Sequence, residues 1–207
     1  MIIAIDGPAA AGKGTLAKRI AKALQLPYLD TGILYRATAK RVLEEGGNPE
    51  DVSTALAAAQ SLGADDLARN DLRDAATSKA ASQVASIAAV RQALLDFQRH
   101  FGTAHGAVLD GRDIGTIIFP QADVKLFVTA SVEARAQRRY QEFLARGENI
   151  AFAEVIADVQ ARDEADRTRA AAPLMRAADA TLIDTTDLDA DAAFARALEL
   201  IQAKLPH

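Results

Sequence analysis

The sequence predicts an α/β fold of three layers, a parallel sheet with helices on both faces. Three observations predict it. Short apolar runs that read as buried strands alternate along the chain with longer helical stretches. The first run, "MIIAID" (1–6), stops at Gly7 and gives way almost at once to a helical pattern. The chain has 207 residues, half of them hydrophobic, enough to bury one substantial core in a single domain over 1–207.

The elements follow in order. After the strand at 1–6, Leu16, Ile20, Ala23 and Leu24 form one stripe of a helix over 13–24. "LPYLD" (26–30) reads as a second strand, and 33–45 as a helix stopped by Gly46-Gly47. Asn48 at the N-cap and Pro49 in the first turn predict a further helix to about Leu62. "AVLD" (107–110), "VKLFV" (124–128) and "ATLIDT" (180–185) carry strand chemistry. Helices are expected near 84–100, 131–146, 151–169 and 190–204. The alanines at 55–59 are read as helix propensity rather than function.

Because the strands fall into groups at 1–30 and 107–185, a lobe over 37–104 is expected to be inserted into a core of 1–36, 105–145 and 174–207. A second excursion, 146–173, has Gly147 near its start and Pro173 near its end, as a hinged lid would. A net charge of -4 argues against a nucleic-acid partner. The absence of cysteine excludes disulfides, thiolate zinc sites and cysteine nucleophiles. Three histidines, His100, His105 and His207, are too scattered for a metal cluster, and no metal-ligating side-chain set is expected. No signal segment or apolar run of membrane-spanning length is visible, so the chain reads as cytoplasmic, with neither a membrane nor a protein partner implied.

"IAIDGPAAAGKGT" (3–15) nearly fits the phosphate-binding loop G-x-x-x-x-G-K-[ST]. A glycine-rich turn between strand and helix points backbone N–H groups into one concavity at the positive helix end, with Lys13 reaching the β- and γ-phosphates of a bound nucleotide. Gly14 stands where a hydroxyl would usually ligate Mg²⁺, and Thr15 comes one place late. Mg²⁺ is therefore expected to be held mainly by phosphate oxygens and water. The order "GKGT" favours small-molecule kinases over nucleotide switches.

From Arg135 to Arg176 there are eight arginines, seven acidic residues and no lysine. A guanidinium binds phosphate oxygens in a planar fork, which an ammonium cannot do. In "RDEADRTR" (162–169), Arg162, Asp166 and Arg169 share one helix face, and Asp163 and Arg167 are expected to pair across another. Transfer of a phosphoryl group between two anions needs positive charge and exclusion of water, which an arginine-rich lid supplies. Another small-molecule kinase or a nucleotide-dependent switch remains the alternative at this point.

Taken together, "IDGPAAAGKGT" (5–15), "LDTGILYR" (29–36), "ASQVA" (81–85), "VRQAL" (90–94), "DGRDIGT" (110–116) and "RDEADRTRAAAPL" (162–174) resemble the bacterial cytidylate kinases over almost the whole chain. The resemblance implies a P-loop kinase fold with an inserted acceptor-binding lobe and an arginine-rich lid. It also implies transfer of the γ-phosphoryl group of ATP to CMP or dCMP. Gly7, Pro8, Ala9, Ala10, Ala11, Gly12, Lys13, Gly14 and Thr15 would hold ATP. Thr31 and Tyr35 would line the acceptor site, with Arg36 on its phosphate. Ser82, Arg91 and Asp113 would read the base, Arg112 would lie close to the acceptor phosphate, Arg162 and Asp166 would meet the ribose, and Arg169 the phosphate. Lys13, Arg112 and Arg169 are the expected catalytic set. Only 45 residues lie between Arg36 and Ser82, so the small β-structured part of the family's insert is expected to be trimmed.

Overall fold

The structure, a computed structural model, describes residues 1–204; His207 lies outside the described residues. Five strands form one parallel sheet: β1 (Ile2–Asp6), β2 (Tyr28–Asp30), β3 (Ala107–Gly111), β4 (Val124–Thr129) and β5 (Thr181–Asp184), in the order β2-β3-β1-β4-β5. The alternation of side chains along β1 explains the layering. Ile3 and Ile5 face α1 (Lys13–Leu24) and α9 (Ala190–Gln202), packing with Leu16, Ile20, Ala197 and Ile201. Ala4 faces the other way, with Leu29, Leu109, Ile114 and Phe119, under Leu95 and Phe101 of α6 (Ala88–His105). Helices thus cover both faces, as a parallel sheet requires.

The segment after β2 is helical throughout its regular parts: α2 (Gly32–Glu44), α3 (Val52–Gln60), α4 (Ala64–Ala68), α5 (Ala75–Val84) and then α6. Leu34, Ala39, Ala55, Ala80, Val84 and Leu94 belong to a core of their own, separate from the sheet clusters. Ala55, Ala58 and Ala59 are buried, so on this face the small side chain also sets how closely α3 packs. Helices α7 (Val132–Ala145) and α8 (Phe152–Thr168) make a further cluster from Ala136, Phe143, Val155 and Val159, with Tyr140 and Phe152 edge to face at 5.5 Å. Left-handed residues bracket α8: Gly147 at φ 76° and Ala172 at φ 53°, just before Pro173. Gly147 tolerates that conformation freely, whereas Ala172 holds it at a cost of about 1 kcal/mol. Among the described residues, no helix is long and apolar enough to cross a membrane.

Two expectations are corrected. The helix after Gly46-Gly47 is capped not by Asn48 but by Asp51, whose Oδ1 accepts from Thr54 N at 2.8 Å; Asn48 instead accepts from Glu50 N in the turn before it. On α8, Asp163 does not pair with Arg167. It makes a two-pronged ion pair with Arg135 of α7, at 2.9 and 2.5 Å, while Arg167 pairs with Glu164 on the solvent side. A bidentate partner already buried outcompetes an exposed i,i+4 partner. Three elements were not foreseen: α4, α5, which carries Ser82, and a wide helical turn at Ile114–Ile118, directly after Asp113.

Candidate active site

The glycine-rich loop runs from Gly7 to Gly12 between β1 and α1, and Lys13, Gly14 and Thr15 form the first turn of α1. Gly7 is required sterically: at φ 147°, a Cβ there would meet the carbonyl oxygen of Val128 at 1.9 Å. Left-handed turns at Ala10 (φ 58°) and Gly12 (φ 85°) then bring the chain into α1. Side chains from distant elements hold the loop by its carbonyls. Arg135 Nη1 donates to Ala9 O at 3.3 Å, and Thr185 Oγ1 donates to Ala11 O at 3.1 Å.

Lys13 is buried, with Nζ donating to Pro8 O at 2.6 Å. Burial, aided by the Arg112 guanidinium, pulls its ammonium down to about 7, while Asp110, Asp166 and Asp6 oppose the shift. A lysine lowered in this way is largely neutral at pH 8, and an arriving polyphosphate restores its charge. ATP binding at pH 8 is therefore expected to take up close to one proton, read as a buffer-dependent heat in calorimetry. A Lys13→Met variant should show none of that uptake, and zero uptake in the parent would mean a lysine already charged.

Thr31, Tyr35, Arg36, Ser82, Arg91, Arg112, Asp113, Arg162, Asp166 and Arg169 all line one cleft. The elements that bring them together are α2, α5, α6, the loop after β3, and the end of α8. Arg112 Nε lies 2.7 Å from Asp166 Oδ2, and Arg169 Nη1 lies 3.6 Å from Asp166 Oδ1, so one carboxylate separates two cations. Arg36 Nη2 bonds Asp30 Oδ2 at 2.6 Å. Arg91 pairs with Asp113, donates to Ala85 O at 3.1 Å and lies over the Tyr35 ring at 5.2 Å. Thr31 Oγ1 donates to Asp110 O at 2.9 Å, fixing the start of α2 against β3.

Five arginines thus face two carboxylates in this cleft, in a protein whose net charge is negative. Arg36 Nε, Arg162 Nε and Arg169 Nη2 are buried with no hydrogen-bond partner among the described residues. Burial and the neighbouring Arg112 push Arg162 down to about 10. Unpaired buried donors of one sign are costly unless an anion satisfies them. Beyond Tyr35, Arg91 and Asp113 the cleft adjoins a cavity of about 160 Å³, walled by Ala88, Leu95, Ile118 and Ala171.

Some residues that shape the site were not singled out in the sequence. Asp6 is buried, and its carboxylate accepts from Ile114 N and Gly115 N at 2.8 and 2.7 Å, which holds the turn behind Asp113. Burial raises that carboxyl to about 6. Asp30 and Asp110 lie inside quoted motifs, and their place at the ends of β2 and β3 was the available signal. Arg135 had only the general enrichment in arginine to mark it.

Three comparisons bear on this site. The family model for cytidylate kinase matches residues 3–203. A cytidylate kinase of Acidiphilium cryptum is 61% identical over 205 residues, covering 99% of this chain and 97% of that protein. One from Paramagnetospirillum magneticum is 56% identical over 207 residues, covering 98% of each. Among solved structures, an uncharacterized protein from Eubacterium ventriosum shares the fold at a TM-score of 0.59 and 12% identity, over 98% of this chain and 99% of that one. With residues 3–203 matched and a relative 61% identical over 99% of this sequence, the chain belongs to the cytidylate kinase family.

Proposed function

We infer that the chain transfers the γ-phosphoryl group of ATP to CMP or dCMP, giving ADP and CDP or dCDP. Beside family membership, one observation carries this reading: the arginine-lined cleft next to the glycine-rich loop holds three buried guanidinium nitrogens without partners. A monophosphate brings the acceptor oxygens those donors lack.

The roles divide accordingly. Residues Gly7 to Thr15 hold the ATP phosphates, and Lys13 follows the transferring group with positive charge. Arg36, Arg112 and Arg169 bind the acceptor phosphate, Arg162 and Asp166 meet the ribose, and Ser82, Arg91 and Asp113 read the base above Thr31 and Tyr35. The apolar walls of the adjoining cavity suit the faces of a pyrimidine ring. No general base is needed, because the acceptor phosphate is itself a nucleophilic anion. Among the described residues, no group of three or more His, Cys, Asp or Glu side chains is placed to hold a metal. Because Gly14 stands where a hydroxyl would usually be a ligand, Mg²⁺ would take phosphate oxygens and water as its main ligands, and it would supply charge neutralisation on the nucleotide.

For the parts of the chain we propose a core of 1–36, 105–145 and 174–207, an acceptor-binding lobe of 37–104 and a lid of 146–173. The separate clusters of the lobe and of α7 with α8, and the left-handed residues at 147 and 172, support that division. The primary test is a coupled ADP-release assay across nucleoside monophosphates; release with none of them would overturn the reading. Hydrogen exchange in 146–173 is expected to slow when a bisubstrate analogue binds. Equal exchange in both states would count against a closing lid.

A further inference from the structure

Between α4 and α5 runs "RNDLRD" (69–74), part of what remains of the trimmed insert, and it sends one side chain to Asp30, the partner of the cleft residue Arg36. Arg73 Nη2 lies 2.8 Å from Asp30 Oδ2, the same oxygen that Arg36 Nη2 meets at 2.6 Å. Arg36 and Asp30 are nearly buried, with side chains 12% and 16% exposed, whereas Arg73 is 62% exposed on their outer side. Both guanidinium groups hold the Asp30 carboxyl below its usual range, against the upward pull of its own burial.

The charge count gives this arrangement its meaning. Asp30 facing Arg36 alone would form a neutral pair, and the cation would be committed to the protein. With Arg73 on the same oxygen the trio keeps one net positive charge, and Arg36 keeps a buried Nε with no partner. The loop is also fixed in place, because Arg146, at the end of α7, donates from Nη1 to the carbonyl of Arg73 at 3.0 Å.

We propose that Arg73 is a positioning residue for acceptor binding: by sharing Asp30 with Arg36 it leaves the trio one net positive charge, with Arg36 on the cleft side, for the phosphate of CMP. This rests on the assignment of Arg36 to that phosphate. Arg73→Gln should raise the KM for CMP about fivefold, the upper end for a solvent-facing ion pair, with kcat, the KM for ATP and the thermal midpoint close to the parent. Arg73→Lys should restore the KM, since charge is what is required. Adding Asp30→Asn to Arg73→Gln should also lower the KM again, because no carboxylate is then left to occupy. An unchanged KM for CMP in Arg73→Gln, or an equal rise for both substrates, would overturn the proposal. Arg36→Ala, measured alongside, should raise the KM for CMP further still. If Arg36→Ala does so while Arg73→Gln does not, only the role of Arg73 fails; if neither does, the phosphate assignment falls with it.

Discussion

Replacing Lys13 with alanine is expected to cut turnover about 10³-fold while the protein keeps a cooperative thermal transition. The expectation follows from where the charge sits. Lys13 is buried at the start of α1, with Nζ donating to Pro8 O, and burial has already lowered its affinity for a proton. The side chain is thus poorly matched to its surroundings until phosphates arrive, which is the condition for stabilising charge that develops during transfer. Removing it deletes no core packing, because the apolar contacts of α1 are made by Leu16, Ala17, Ile20 and Ala21. Steady-state kinetics with CMP and ATP, beside a melting curve, check both halves. A folded Lys13→Ala protein with near-parental turnover would remove the loop from the mechanism.

The second large effect is selectivity for the base. Cytosine offers an amino donor at N4 and acceptors at N3 and O2, while uracil reverses the first two. Asp113 and Arg91 already face one another at the boundary of the cleft and the adjoining cavity, one an acceptor and the other a donor. Cytosine can satisfy both, with Ser82 assisting at the amino group. Uracil would set an oxygen against the carboxylate and an N–H against the guanidinium, and each such mismatch costs about 1–3 kcal/mol. CMP and dCMP are therefore expected to exceed UMP in kcat/KM by up to about 10⁴-fold, with AMP and GMP essentially inactive. Asp113→Ala should lower kcat/KM for CMP by at least about 10²-fold while the KM for ATP changes little. Equal efficiency for CMP and AMP would leave only a kinase of unknown acceptor.

The sheet and the cleft were legible in the sequence for different reasons. Strands in a parallel sheet buried on both faces are short apolar runs, and 1–6, 107–110 and 124–128 carry that mark without help from neighbours. Arg162, Asp166 and Arg169 were legible because helical spacing alone puts them on one face, and all three line the cleft. What stayed hidden was set by partners far along the chain. The turn at Ile114–Ile118 depends on Asp6, 108 residues away from Ile114, which supplies acceptors for two consecutive N–H groups. Asp163 found Arg135, 28 residues earlier, rather than its neighbour on the helix. The start of α3 was misread for a local reason. Asn48 and Asp51 are both good caps three residues apart, and the one chosen is the one whose oxygen reaches Thr54 N.

The strand order carries a consequence for how the chain is made. β1 leaves the ribosome first, yet its two neighbours in the sheet are β3 and β4, whose first paired residues are Ala107 and Val124. At a synthesis rate of about 5–20 residues per second, Ile2 and Ile3 wait roughly 5–20 s with both backbone edges unpaired. During that interval the nascent chain can only assemble nearby contacts, such as those among α2, α3 and α5, whose core does not need the sheet. The helical cluster after β2 thus has the means to fold before β1, which leads into the glycine-rich loop, has anything to pair with.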